Sequence, residues 1–133
     1  MPENSSTKSK TRYTEALGSV YDTMGWAYYQ LARLQKSTSE KKSSLNKAIK
    51  NFETGIAHIK KSAGVQARSL PTVFSHIADA LEMKGSVENN KKYKIEALKN
   101  YLEANKYGRF AEKSHVAQQI IELQEAGIKV PEE

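Results

Sequence analysis

Between about Thr11 and Lys36 the chain places apolar residues at steps of three and four, with no proline to interrupt them. Tyr13, Leu17, Val20, Tyr21, Met24, Tyr28, Leu31 and Leu34 carry this rhythm, which is that of a long amphipathic helix. The same economy of breakers holds throughout. Of 133 residues only 7 are Gly and 3 are Pro, and Pro2 and Pro131 stand at the ends. Long stretches without Gly or Pro favour helices over a turn-rich β fold, and no segment alternates like a half-buried strand.

Local signals divide the rest into helices. Ser37 and Glu40 have capping-box spacing, so a tight turn falls near Ser37 and a second helix starts just after it. That helix carries Leu45, Ala48, Ile49, Phe52, Ile56 and Ile59, with Gly64 as its expected left-handed cap. Ser69 or Leu70 opens a third helix with Pro71 in its first turn, and Gly85 is expected to close it. Ser86 is the expected N-cap of a fourth, which carries Ile95, Leu98 and Tyr101 and stops at Gly108. A fifth runs from about Phe110 to Gly127 through Val116, Ile120 and Leu123. The expected organisation is a disordered tail over residues 1–10, an all-α domain of antiparallel helical hairpins over 11–127, and a short acidic tail over 128–133.

The first two hairpins read as copies of one unit. Tyr21, Met24, Gly25 and Tyr28 follow a large, large, small, large order, repeated by Phe74, Ile77, Ala78 and Leu81. In the fifth helix Val116, Ala117 and Ile120 continue it. The second helices pair Ala48 with Phe52 and Ala97 with Tyr101. Small residues permit close helix crossing, large ones fill the space beside it, and a hairpin with one unburied face stacks on the next.

This pattern resembles the tetratricopeptide repeat, from Val20 to Leu123, as two repeats plus a capping helix. It departs from the family in spacing. Ala48 and Ala97 lie 49 positions apart, and Gly25 and Ala78 lie 53 apart, against about 34 in the family. The family's Trp is replaced by Tyr21 and Phe74, and its closing Pro by Lys60 and Arg109. The helices are therefore expected to be lengthened. The competing reading of the same residues is an ordinary helical bundle.

The resemblance implies a concave groove lined by the first helix of each pair. Mapped by position, the first helix offers Ser19, Asp22, Trp26, Tyr29 and Gln30. The third offers Thr72, Ser75, Asp79, Glu82 and Met83; the fifth offers Ser114, Gln118, Ile121 and Glu122. Trp26 and Tyr29 lie off the repeated stripe, as partner anchors would; the alternative is that Trp26 is core. Asp22, Asp79 and Glu82 would make the groove acidic and suit a basic or apolar-basic peptide. The family's carboxylate clamp is missing, because Asp22, Trp26, Ser75 with His76, Ala111 and His115 occupy its places.

Net charge is +6. The lysines of the second and fourth helices would form a basic convex face, for which a solvated surface is favoured over nucleic acid or membrane because no aromatics interleave them. Self-assembly through an open end helix is the other alternative. No catalytic constellation emerges. His58, His76 and His115 lack metal-ligand spacing, no glycine loop suits a phosphate, and no acid/base pair of carboxylates stands out. The sequence therefore predicts a non-enzymatic interaction module without cofactor or metal. With no Cys, no secretory signal at Met1–Lys10 and no membrane-length apolar run, a cytoplasmic location is expected, and the Asn4-Ser5-Ser6 sequon is expected to stay unused.

Overall fold

A computed structural model describes residues 5–63 and 67–132, with side chains from Tyr13 onward except at 14, 15 and 63. It contains α1 (Ser5–Leu34), α2 (Thr38–Ala63), α3 (Leu70–Val87), α4 (Lys91–Asn105) and α5 (Lys113–Glu125), and no strand among the described residues. The helices pack in chain order, each on the next, and α1 also touches α3. The fold is thus all-α, two antiparallel hairpins stacked side by side with α5 against α4. The core is fully buried at Leu45, Phe52, Ile59, Leu70, Val73, Leu98, Tyr101 and Val116.

The α1–α2 hairpin is close because small residues meet where the helices cross. A Cβ on Gly25 would lie 2.6 Å from the Phe52 ring and 3.0 Å from the Ala48 carbonyl oxygen. A Cβ on Gly55 would lie 2.9 Å from the Gly18 carbonyl oxygen. The pairing of Gly25 with Ala48 and Phe52 is therefore a steric fit, as expected from the repeated order. The turn between the helices is short. The Ser37 hydroxyl accepts from the Glu40 amide at 3.3 Å, Lys41 Nζ donates to the Ala32 carbonyl at 3.2 Å, and the Ser44 hydroxyl donates to Gln35 Oε1 at 2.8 Å. Only residues 35–37 lie between the two helices, so the stretch from Thr38 to Ser44 belongs to α2.

Helix ends depart from expectation in several places. α1 begins by Ser5 rather than near Thr11, so residues 5–10 are helical; residues 1–4 of the expected tail lie outside the described residues. Gly64 also lies outside them. Ser69 precedes α3 without a capping bond from its side chain, and Pro71 sits in the first turn as expected. Gly85 does not close α3, and Ser86 does not cap α4, because α3 continues through both to Val87. Gly85 is buried, and a Cβ there would come 2.7 Å from Lys94 Cγ and 3.1 Å from the Asn90 carbonyl oxygen. Its role is packing.

The reversal is made by Asn89, at φ 51°, with the Asn90 amide bonded back to the Gly85 carbonyl at 2.9 Å. The Asn90 side chain then caps α4 by accepting from the Lys92 amide at 3.0 Å. α5 ends in the same way. Gly127 takes φ 85°, the Ile128 amide reaches the Leu123 carbonyl and the Gly127 amide reaches the Gln124 carbonyl, both at 3.0 Å. This closure turns Ile128 into the core and lays Val130 against it, so the expected tail over 128–133 begins as packed chain.

Candidate functional site

α1, α3 and α5 are alternate helices of the stack, which brings their like faces to one side. Two histidines tie them together. His76 on α3 places Nδ1 2.8 Å from the Asp22 carboxylate on α1 and Nε2 3.9 Å from Glu112, just before α5. Thr72 completes this link by donating to Glu112 at 2.9 Å. His115 on α5 places Nε2 2.8 Å from the Asp79 carboxylate on α3. Each histidine stands two residues before the repeated small residue, Ala78 or Ala117, and each reaches back to a carboxylate on the preceding odd-numbered helix. Their spacing in the sequence suits no metal site and by itself gives neither of them a partner. The shared offset was the signal that could have paired them.

Beside His76 lie the two aromatic candidates. The Trp26 ring is centred 4.3 Å from His76 and 5.0 Å from Tyr29. Both are half-buried and lean on the core, so Trp26 is part packing and part surface. Burial, reinforced by the negative charges of Asp79 and Glu82 and opposed by Arg33, pushes the Tyr29 phenol up to about 12. Behind this pair the fully buried Tyr101 ring sends its hydroxyl to both Asp79 and Glu82, the latter at 3.0 Å. Burial and then the Asp79 charge hold that phenol well above the ordinary range. Burial also raises the Glu82 carboxyl, partly offset by the bond from Tyr101.

Asp22, Trp26, Tyr29, Asp79 and Glu82 thus belong to one connected group, joined by His76, His115 and Tyr101. This face is less acidic than the sequence implied. Asp22 and Asp79 are only 18% and 11% exposed and are occupied by histidine and tyrosine. Glu82 is likewise partly buried, whereas Glu122 is exposed and accepts from Gln118 at 3.0 Å on the α5 surface. Gln30 accepts from Arg33 at 3.0 Å, and Met83 packs against the core. Ser75 is fully buried and its hydroxyl has no partner among the described residues, so it does not line a groove. Its place, one residue before His76, turns it under the face rather than onto it.

The remaining features lie apart. A cavity of about 580 Å³ opens near the two ends of α3 and α4 that carry the connections, between Arg68, Pro71, Lys106, Tyr107 and Arg109, away from the aromatic pair. Elsewhere on the surface several lysines rest on rings. Lys47 lies 5.7 Å from the Tyr28 centroid, Lys60 5.4 Å from Phe74 and Lys84 4.3 Å from Tyr93. Among the described residues no group of three metal-ligating side chains gathers, and no helix is long and apolar enough to cross a membrane. No protein-family profile matches the chain, and no curated protein and no solved structure matches it.

Proposed function

We propose that the protein is a non-enzymatic interaction module of tetratricopeptide-like design, working in the cytoplasm, whose α1–α3–α5 face holds an extended peptide segment of another protein. The observation that carries this reading is the Trp26–Tyr29 pair, half-exposed and fixed in place by His76 beside the Asp79–Tyr101–Glu82 cluster. A rigid aromatic platform bordered by carboxylates suits a peptide with an apolar or aromatic residue next to Lys or Arg, through burial and cation–π contact. His76 speaks for a framing role rather than catalysis, because both of its ring nitrogens face carboxylates.

Calorimetric titration with a defined set of such peptides tests the proposal. Tyr29→Ala combined with Glu82→Gln is expected to weaken binding by about tenfold or more while helical circular dichroism is retained. Equal affinity in the folded double variant removes this face as the site.

A further inference from the structure

One surface feature is untouched by the proposed groove. Among the described residues, all but one of the large apolar side chains left exposed belong to α1: Tyr13, Val20, Met24, Leu31 and Leu34, with Ile121 the exception. Leu17 and Ala27 fill the two gaps between them. The resulting steps, 13, 17, 20, 24, 27, 31, 34, alternate four and three without a break. That is a period of 3.5 residues over three heptads, about 31 Å of helix. A helix that packs only on its own domain has no need of this seam. α1 already meets α2 through Gly18, Gly25 and Gly55, and meets α3 through Asp22 and His76, on other sides of the helix.

A seam of this period accepts another helix, because knobs spaced at 3.5 residues stay in register only against a supercoiled partner. The flanks indicate which helix. In paired helices the residues beside the seam choose the partner by charge. Here those residues are Ala16, Thr23 and Gln30 on one side and Tyr21 and Tyr28 on the other, none of them charged. From Ala16 to Leu34 the only charges on α1 are Asp22, bonded to His76, and Arg33, bonded to Gln30. No charged residue in this border would face its own counterpart across a two-fold pair, so like charges do not oppose an identical helix there. Of the cations on the neighbouring helix, Lys41 is bonded to the Ala32 carbonyl and Lys47 rests on the Tyr28 ring. We propose that the α1 seam pairs with the α1 seam of a second copy, forming a two-fold dimer that leaves the α1–α3–α5 face open on each protomer.

Sedimentation of the full chain over a concentration series tests this, because a self-association must dissociate on dilution. The wild type is expected to sediment as a dimer at high concentration. Met24→Glu with Leu31→Glu, both at exposed positions, is expected to weaken dimerisation by roughly 100-fold or more with the helical circular dichroism of the folded monomer retained. Ile121→Glu, at the exposed apolar position outside the seam, is expected to dimerise as the wild type does. A wild-type monomer at millimolar concentration overturns the proposal and leaves the seam to a different helix. A dimer that survives the double substitution, or that Ile121→Glu disrupts instead, overturns it as well.

Discussion

Gly55 stands where α2 crosses α1, and replacing it tests the packing that builds the first hairpin. A methyl group there would lie 2.9 Å from the Gly18 carbonyl oxygen and 3.3 Å from Tyr21 Cβ, where ordinary contact begins at 3.4 Å. The nearer obstacle is the backbone of another helix, which cannot rotate aside. α1 as a whole must retreat by roughly 0.5 Å, a gap that forfeits about a quarter of the dispersion attraction of the atoms it separates. Overpacking of this kind costs about 1–3 kcal/mol. Against it, Ala in a helix interior gains about 1 kcal/mol over Gly. Gly55→Ala is therefore expected to destabilise the protein by about 1 kcal/mol, a fall in Tm of roughly 3–5 °C. Gly55→Val adds two methyl groups and loses much of the propensity gain, so about 3 kcal/mol is expected. Urea unfolding followed by far-ultraviolet circular dichroism measures both. Gly108→Ala is the control, since nothing lies within 4 Å of a Cβ there, and it should stay within about 0.5 kcal/mol of wild type. A Gly55→Val protein as stable as wild type would refute the close crossing of α1 and α2.

Three further outcomes follow from the same structure. Tyr101→Phe strips the hydroxyl from Asp79 and Glu82 and should cost about 1–3 kcal/mol in urea unfolding; an unchanged midpoint would mean the cluster contributes nothing. Tyr29 and Tyr101 hold their protons more tightly when folded than when unfolded. Above pH 10 the native state therefore binds more protons than the unfolded one, so stability is full below about 10 and falls as pH rises toward 12 and beyond. Native tyrosinate absorbance should accordingly lag behind that of the unfolded chain, and Tyr29→Phe should reduce the lag; coincident titration curves would contradict the burial of these phenols. Gly127→Ala places a side chain at φ 85° and should cost about 1–2 kcal/mol, read from the thermal midpoint.

The parts of the fold that were legible in the sequence are those set by local sterics. Gly25, Ala48 and Phe52 announced a close crossing because only small residues allow one, and Ser37 announced a turn because a hydroxyl with an amide three residues on makes a specific bond. The α3–α4 turn was misplaced for a related reason. Gly85 can end a helix or let a neighbour approach, and the sequence does not say which; Lys94, packed on it from the next helix, decides. Asn89 then takes the left-handed position that glycine usually fills.

The candidate face was legible in part. Trp26, Tyr29, Asp79 and Glu82 do converge. The bonds from His76 to Asp22 and from His115 to Asp79 span 54 and 36 positions, and depend on how whole helices stack. The same stacking hides Ser75 beneath the face, which a mapping by position alone placed in the groove.

Trp26 is the only tryptophan in the chain, and it stands at the centre of the proposed face. Its fluorescence is therefore a direct reporter of occupancy. Short peptides combining an aromatic or aliphatic residue with adjacent Lys or Arg are expected to change Trp26 emission in a saturable way, and acidic peptides of equal length are expected to leave it unchanged. Emission that is indifferent to every peptide, or that responds equally to acidic and basic ones, would contradict a peptide-binding face built on Trp26, Tyr29 and Glu82.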